Sequence, residues 1–347
     1  MEMGGAERAL VNVINLLEKY YDIDLILLEK KGELLKDLPK SINIYEVGKK
    51  SLSYILFRFV PLYRKYKINK LTKEKYSLAC AFMEGRAATW LVDMKQKCHK
   101  IAWIHNDVKE FNIGISEREI KKTYSKLDKV YIVSKHSQDS FCEKYNIDFK
   151  NTEVIYNLID EEGILKKASL LNVPKDKFTF INVSKMRKQK RHDRLLKCAY
   201  NLKEMGYDFN LWLVGSGPLE EEVKSLIKEL GLENTVKLWG LQENPYPYIK
   251  AANYFVMSSD HEGYPLSLLE SLLLKTPVVT TDVSGAKEII KDNKYGLICE
   301  INEEALTKAM QEVLDNPHKE IIDNLKKYQG NNKEIINQLL KISRVNH

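Results

Sequence analysis

Short apolar runs alternate with longer stretches of 3.6-residue periodicity along nearly the whole chain, and that alternation limits the fold more than any other feature of the sequence. A strand that is apolar on both faces needs cover on both. Intervening helices supply it, so the pattern predicts parallel sheets wrapped by helices. In the first half the apolar runs fall at 24–28, 77–82, 100–104 and 129–133, with helical periodicity at 6–20 and 134–145. The second half restarts the alternation, with strands predicted at 178–183, 210–214, 236–239, 254–257 and 277–280. Its helices are predicted at 191–205, 219–230, 265–274 and 303–315. A polar stretch at 160–177 marks the join, and a last helical segment at 332–342 follows Gln329-Gly-Asn-Asn332. At 347 residues the chain is long enough for two separate cores. The expected architecture is two doubly wound, Rossmann-like α/β domains over 1–162 and 163–328, with 329–347 as an added helix. The cleft facing both domains is the expected ligand site.

The first domain departs from this scheme at its start. A doubly wound domain opens with a strand that leads through a loop into the first helix. Here Gly4-Gly5 follows only Met1-Glu2-Met3. The central sheet position of such a strand is expected to be empty, filled by another segment, or lost to a misplaced start.

Composition narrows the class. No apolar run approaches the roughly 18 residues of a membrane span, and the start MEMGGAER does not read as a signal peptide. Five dispersed cysteines without a Cys-x-x-Cys pair read as reduced thiols, against a disulfide frame or zinc site, and point to the cytoplasm. The net charge of +7 is concentrated, because residues 51–100 hold eleven Lys and Arg against three Asp and Glu. Within it, Ile55-Leu-Phe-Arg-Phe-Val-Pro-Leu-Tyr-Arg-Lys-Tyr-Lys67 interleaves cations with aromatics. That window, 55–75, is either a solvated basic helix face or a patch for an anionic membrane surface, which would make the protein peripheral on the inner face. Outside 51–100 the chain is near neutral, which argues against nucleic acid as a partner.

The densest chemistry lies in Ser258-Ser-Asp-His-Glu262-Gly-Tyr-Pro-Leu-Ser-Leu-Leu-Glu270. Pro265 suits the first position of a helix, where its missing N–H is not needed. The amides of Leu266 and Ser267 would then face outward at the positive end of the helix dipole, a place for a diphosphate. The helix is apolar nearly all round, so burial is expected, and Glu270 is its one charge. A buried carboxylate needs partners, which the two hydroxyls of a ribose would supply; an interior cation is the competing partner. Glu262, on the preceding loop, would meet sugar hydroxyls. A second cluster, Lys185-Met-Arg-Lys-Gln-Lys190-Arg, follows a strand at its carboxyl end and would balance the charge of a leaving nucleoside diphosphate. Val214-Gly215-Ser-Gly-Pro218 is a strand-to-helix turn of low specificity by itself, and Trp103-Ile-His105 places a histidine at a strand end. No metal is expected. The single Asp-x-Asp, Asp22-Ile-Asp24, enters a strand far from these motifs and reads as a surface edge.

Taken together, these residues resemble family 4 of the retaining glycosyltransferases, with the GT-B fold. Glu262-x7-Glu270 is similar to that family's defining motif. Gly4-Gly5-Ala-Glu-Arg8, Trp103-Ile-His105, Val154-Ile-Tyr-Asn157, 183–190, Val214-Gly-Ser-Gly-Pro218 and Thr281-Asp-Val-Ser-Gly285 fall in the family's order. The resemblance implies a hexosyltransferase that moves a sugar from a UDP-sugar to a glycan or lipid-linked acceptor in surface polysaccharide synthesis. It would need no metal and no cofactor. It implies catalytic roles for Glu262, His105 and Lys190. It implies donor binding by Glu270, Lys185, Gly5, Gly263, Tyr264, Pro265, Leu266, Ser267 and Gly215, and a C-terminal helix that crosses back to the first domain. Ser184-Lys185 stands where the family has Gly-Arg; the charge is kept and the bidentate fork is lost. The competing readings are a non-catalytic paralogue that binds nucleotide sugar or a partner, and a nucleotide-sugar epimerase on the same fold.

Overall fold

The computed structural model describes residues 1, 4–48, 60–72, 74–109 and 114–342. The chain separates into two compact units, one made of 1–158 with 332–347 and the other of 159–331. Both are parallel α/β structures.

In the first unit, helix α1 (Gly5–Leu17) leads to strand β1 (Asp24–Leu27), which pairs with β2 (Asn43–Glu46). Helix α2 (Pro61–Leu71) is followed by β3 (Leu78–Ala81), α3 (Arg86–Asp93), β4 (His99–Ile104) and α4 (Glu117–Tyr124). Then come β5 (Lys129–Ile132), α5 (Lys135–Tyr145) and β6 (Thr152–Val154). Strands β3-β4-β5-β6 form a four-stranded sheet in chain order, whereas β1 and β2 form a separate pair. Among the described residues no strand joins β1 to β3. The pair nevertheless packs beside the sheet, because Leu28 and Val47 join the core formed by Ala81, Ala102, Ile104 and Phe141. Tyr76 just ahead of β3 also donates to Asp24 at the start of β1. Helix α1 lies on the pair through Val11, Ile14, Leu34 and Ile42.

The second unit opens with α6 (Glu161–Ala168), where the sequence had suggested a linker. Asp160 caps this helix by accepting from the Gly163 amide at 3.0 Å, and acids lead while lysines trail, as the helix dipole favours. The unit continues through β7 (Thr179–Val183), α7 (His192–Glu204), β8 (Asn210–Val214), α8 (Glu220–Glu229), β9 (Val236–Gly240) and α9 (Tyr246–Ala251). It then runs through β10 (Tyr254–Met257), α10 (Leu266–Leu273), β11 (Val278–Thr281), α11 (Ala286–Ile290) and β12 (Gly296–Cys299). Helices α12 (Glu303–Asp315) and α13 (Lys319–Lys326) finish it, and α14 (Asn332–Ile342) belongs to the first unit. The six strands are parallel, in the order β12-β11-β10-β7-β8-β9. Phe180, Leu196, Leu211, Val256 and Met310 fill the core between sheet and helices.

Candidate active site

Strand β7 is the first of the second sheet, and the chain then builds outward on both sides of it. Strands β8 and β9 go one way, and β10 to β12 the other. The reversal between β7 and β10 is a topological switch point, where two loops diverge beyond the strand ends and leave a crevice for a ligand. Those two loops are 184–191 and 258–265, the pair singled out from the sequence.

The two loops are strapped to each other. The amide of Asp260 donates to Gln189 O at 2.9 Å, Gln189 Nε2 donates to His261 O at 2.6 Å, and Ser258 Oγ donates to Lys190 O at 2.8 Å. At the centre, Lys190 Nζ donates to Glu262 Oε1 at 2.5 Å, and Ser259 Oγ donates to the same oxygen at 2.6 Å. The side chain of Glu262 is only 10% exposed, so this pair is held largely away from water. Arg194, reaching from α7 and buried, donates to Ser258 O at 2.8 Å and to Asp260 Oδ1 at 2.7 Å. Arg191 also chelates Asp260, at 3.2 Å to each oxygen.

Beneath the lysine loop, Ser184 Oγ donates to Asn182 Oδ1 at 2.7 Å and lies 3.1 Å from Nε2 of buried His192. With the serine proton already committed, Nε2–H of His192 is the donor. Burial first, and then Lys190, bring the His192 pKa down to about 4, so the ring is neutral at neutral pH. Lys185 is half-buried, while Arg187 and Lys188 are exposed.

Two glycine turns set the height of these loops. Gly215 sits at φ +135°, and a Cβ there would lie 2.1 Å from Ser184 O; one at Gly217 would lie 2.5 Å from Met186 O. The Gly-rich turn therefore lets the β8 loop press against the backbone on either side of Lys185. Gly285, at φ +76°, does the same for the other loop, since a Cβ there would lie 2.8 Å from Gly263 O and 2.9 Å from the Tyr264 ring.

Helix α10 begins at Leu266, one residue later than expected. Pro265 is extended at ψ 114° and forms the N-cap, because the chain enters the helix from the strand-like arm of the loop. No side chain caps this end. The expected burial of the helix holds for Leu266, Leu268, Leu269, Leu272 and Leu273, while Ser267 and Glu270 face partly outward. The expectation of a buried Glu270 is thus corrected: its carboxylate is half-buried and accepts from Tyr246 Oη at 3.4 Å. Gly263, Tyr264 and Pro265 are buried at the foot of the loop.

In the first unit, His105 follows β4 at its carboxyl end and is buried, 7% exposed, beside the rings of Phe82 and Trp103. Burial brings its pKa down to about 3. Gly5 is the first residue of α1, with open space around the position of a Cβ. Of the basic aromatic window 55–75, residues 55–59 and 73 lie outside the described residues. Helix α2 covers the rest of its centre. Sequence reasoning missed Arg194, Asp260, Ser259 and Gln189, which hold the loops in place. Only Asp260 and Ser259 carried a local signal, by flanking Glu262; Arg194 looked like any helical arginine. Among the described residues no cluster of three metal-binding side chains occurs.

Comparison with known proteins bears on this geometry. Residues 3–162 match the model of Glycosyltransferase Family 4, and 166–334 that of Glycosyl transferases group 1. The N-acetylgalactosamine-N,N'-diacetylbacillosaminyl-diphospho-undecaprenol 4-alpha-N-acetylgalactosaminyltransferase of Campylobacter jejuni is 31% identical over 90% of this chain and 87% of its own length. A solved glycosyltransferase of Rickettsia africae superposes with a TM-score of 0.80 at 22% identity, covering 99% of this chain and 95% of that one. Anabaena HepE, solved with UDP and glucose, superposes at 0.78 with 19% identity, covering 99% and 96%.

Proposed function

The chain belongs to the family 4, group 1 glycosyltransferases and has their GT-B fold, and on that footing we propose that it transfers a hexose-type sugar from a UDP-sugar to a glycan or lipid-linked acceptor, with retention and without a metal. The observation that carries this reading is the convergence of the lysine loop, the Glu262 loop and the N-terminus of α10 at the β7/β10 switch point.

The chemistry follows from the charges. A diphosphate at the uncapped start of α10 meets amides and the positive end of the dipole, with Lys185 and Lys190 on the adjacent loop. An ammonium has three donors, so Lys190 can keep Glu262 and still reach a phosphate oxygen. As the bond between the anomeric carbon and the phosphate oxygen lengthens, negative charge grows on the phosphate, where these cations and amides stabilise it. The acceptor hydroxyl attacks the same face of the sugar and gives its proton to the departing phosphate oxygen. Lysines and amides thus take the part that a divalent cation plays elsewhere.

Glu270, one and a half turns along α10, would accept the ribose hydroxyls. Glu270→Ala should weaken UDP binding in calorimetry by about 100-fold, the loss of charge-assisted hydrogen bonds. The variant should cost nothing for UDP lacking both ribose hydroxyls. Equal affinity of variant and native protein for UDP would remove Glu270 from the site.

The acceptor class rests on the relatives, of which two are named for undecaprenol-diphosphate-linked glycans, and on helix α2. This helix exposes Leu62 by 81% and Tyr66 by 61%, one turn apart, with Lys65 beside them. Arg64 is turned away onto Asp93 at 2.5 Å. Such a face suits the cytoplasmic surface of an anionic bilayer, with the protein peripheral to it. Leu62→Glu with Tyr66→Glu should cut flotation with phosphatidylglycerol vesicles about tenfold, given the apolar burial lost. Equal flotation of native protein on neutral and anionic vesicles would end the membrane assignment.

A further inference from the structure

Glu84 is a polar residue that the proposed chemistry leaves unused. It lies just past β3, and its carboxylate turns onto the neighbouring strand end. Oε2 accepts the main-chain N–H of His105 at 3.3 Å, and Oε1 accepts the side-chain amide of Asn106. Burial raises the pKa of this carboxyl, while Asn106 and the main-chain N–H groups of Glu84, His105 and Asn106 oppose the rise. Every one of these neighbours is a donor, so the arrangement serves the charged form. The next residue, Gly85, is fixed as well, since its N–H donates to Tyr124 Oη at 3.0 Å.

The turn held in this way carries His105. Both ring nitrogens are buried, and neither has a partner with hydrogen-bond geometry among the described residues. The Phe82 carbonyl lies close enough to favour the protonated ring without making such a bond, and burial outweighs it. A neutral imidazole offers one donor and one acceptor. An imidazole left idle in an apolar place is costly unless a ligand completes it. A sugar carries hydroxyls that do both.

We propose that Glu84 is a positioning residue for sugar recognition: by accepting from the His105 N–H and the Asn106 side-chain amide, it aims the His105 imidazole at a sugar hydroxyl. The inference rests on the transferase reading above. Glu84 touches no substrate. Glutamine cannot replace it fully, because one of its two terminal atoms would present N–H groups to a donor.

The test compares Glu84→Gln, His105→Ala and the double variant in transfer from a UDP-sugar, with ring-nitrogen NMR of His105 assigned by its loss in His105→Ala. Glu84→Gln should lower kcat about 10- to 100-fold, the size of a small misplacement of a contacting group, with KM for the donor changed less than twofold. The His105 ring signals should move, and the double variant should be no slower than His105→Ala alone. Multiplying losses in the double variant, or unchanged ring signals in Glu84→Gln, would overturn the proposal. If native protein turned over no UDP-sugar, the transferase reading would fail, and the ring signals would still decide the role of Glu84.

Discussion

Lys190→Ala lowers the stability of the second unit by about 3 kcal/mol, and adding Glu262→Ala restores part of that loss. The sign of the second step is what makes the result informative. In the native protein Lys190 and Glu262 meet at 2.5 Å with side chains 23% and 10% exposed. Removing the lysine leaves a carboxylate in a place poor in water, with Ser259 as its remaining hydrogen-bond partner on that oxygen. Removing both charges takes away the interaction and the desolvation cost together. On the proposed reading Lys190→Ala, Glu262→Ala and the double variant should all lose transfer. Hydrogen exchange at β7 and β10 in the four proteins reads the unit separately. Equal protection in Lys190→Ala and native protein would mean that the pair is solvated and the site more open than its geometry indicates.

Gly215→Ala should be nearly as damaging, at about 2–4 kcal/mol, for a different reason. The residue is at φ +135°, and its Cβ would stand 2.1 Å from a main-chain oxygen, so the loop bearing Lys185 must move. Gly206→Ala is the matched comparison. It too has positive φ, at +89°, yet nothing lies within 4 Å of its Cβ, so only backbone strain of about 1–2 kcal/mol applies. Thermal melts of the two variants, with UDP titration of Gly215→Ala, check both parts. Similar melting of the two would show that the close approach is relaxed at little cost.

Much of the fold was legible because burial writes itself into local sequence. Asn210–Val214 and Tyr254–Met257 are strands at the residues their apolar runs indicate. Helix α10 follows its proline within one residue. Strands β2 and β6 were not found, since Asn43–Glu46 and Thr152–Val154 are short and half-exposed. Strand β12 escaped because Gly296-Leu-Ile-Cys299 follows a run of lysines and asparagines. Helix α6 was hidden because its cap and charges look polar until their order is read. At the candidate site, the two loops were visible as separate motifs, but the bond between Lys190 and Glu262 spans 72 residues. Nothing local encodes such a pairing; it follows from β7 and β10 lying side by side. The half-exposure of Glu270 was equally invisible, since a helix apolar by composition can still turn one edge to water.

Among the described residues the first unit carries a two-stranded and a four-stranded sheet where the second carries one continuous sheet of six, and this makes the first unit the weaker of the two. Strands β1 and β3 each keep one row of peptide groups that no neighbouring strand takes up among the described residues, and Ile26 on β1 is 37% exposed. Rows of that kind recruit whatever extended chain they meet, including other copies in a concentrated sample. Warming would therefore loosen the first unit before the second and start clumping there, while the six-stranded sheet stayed folded.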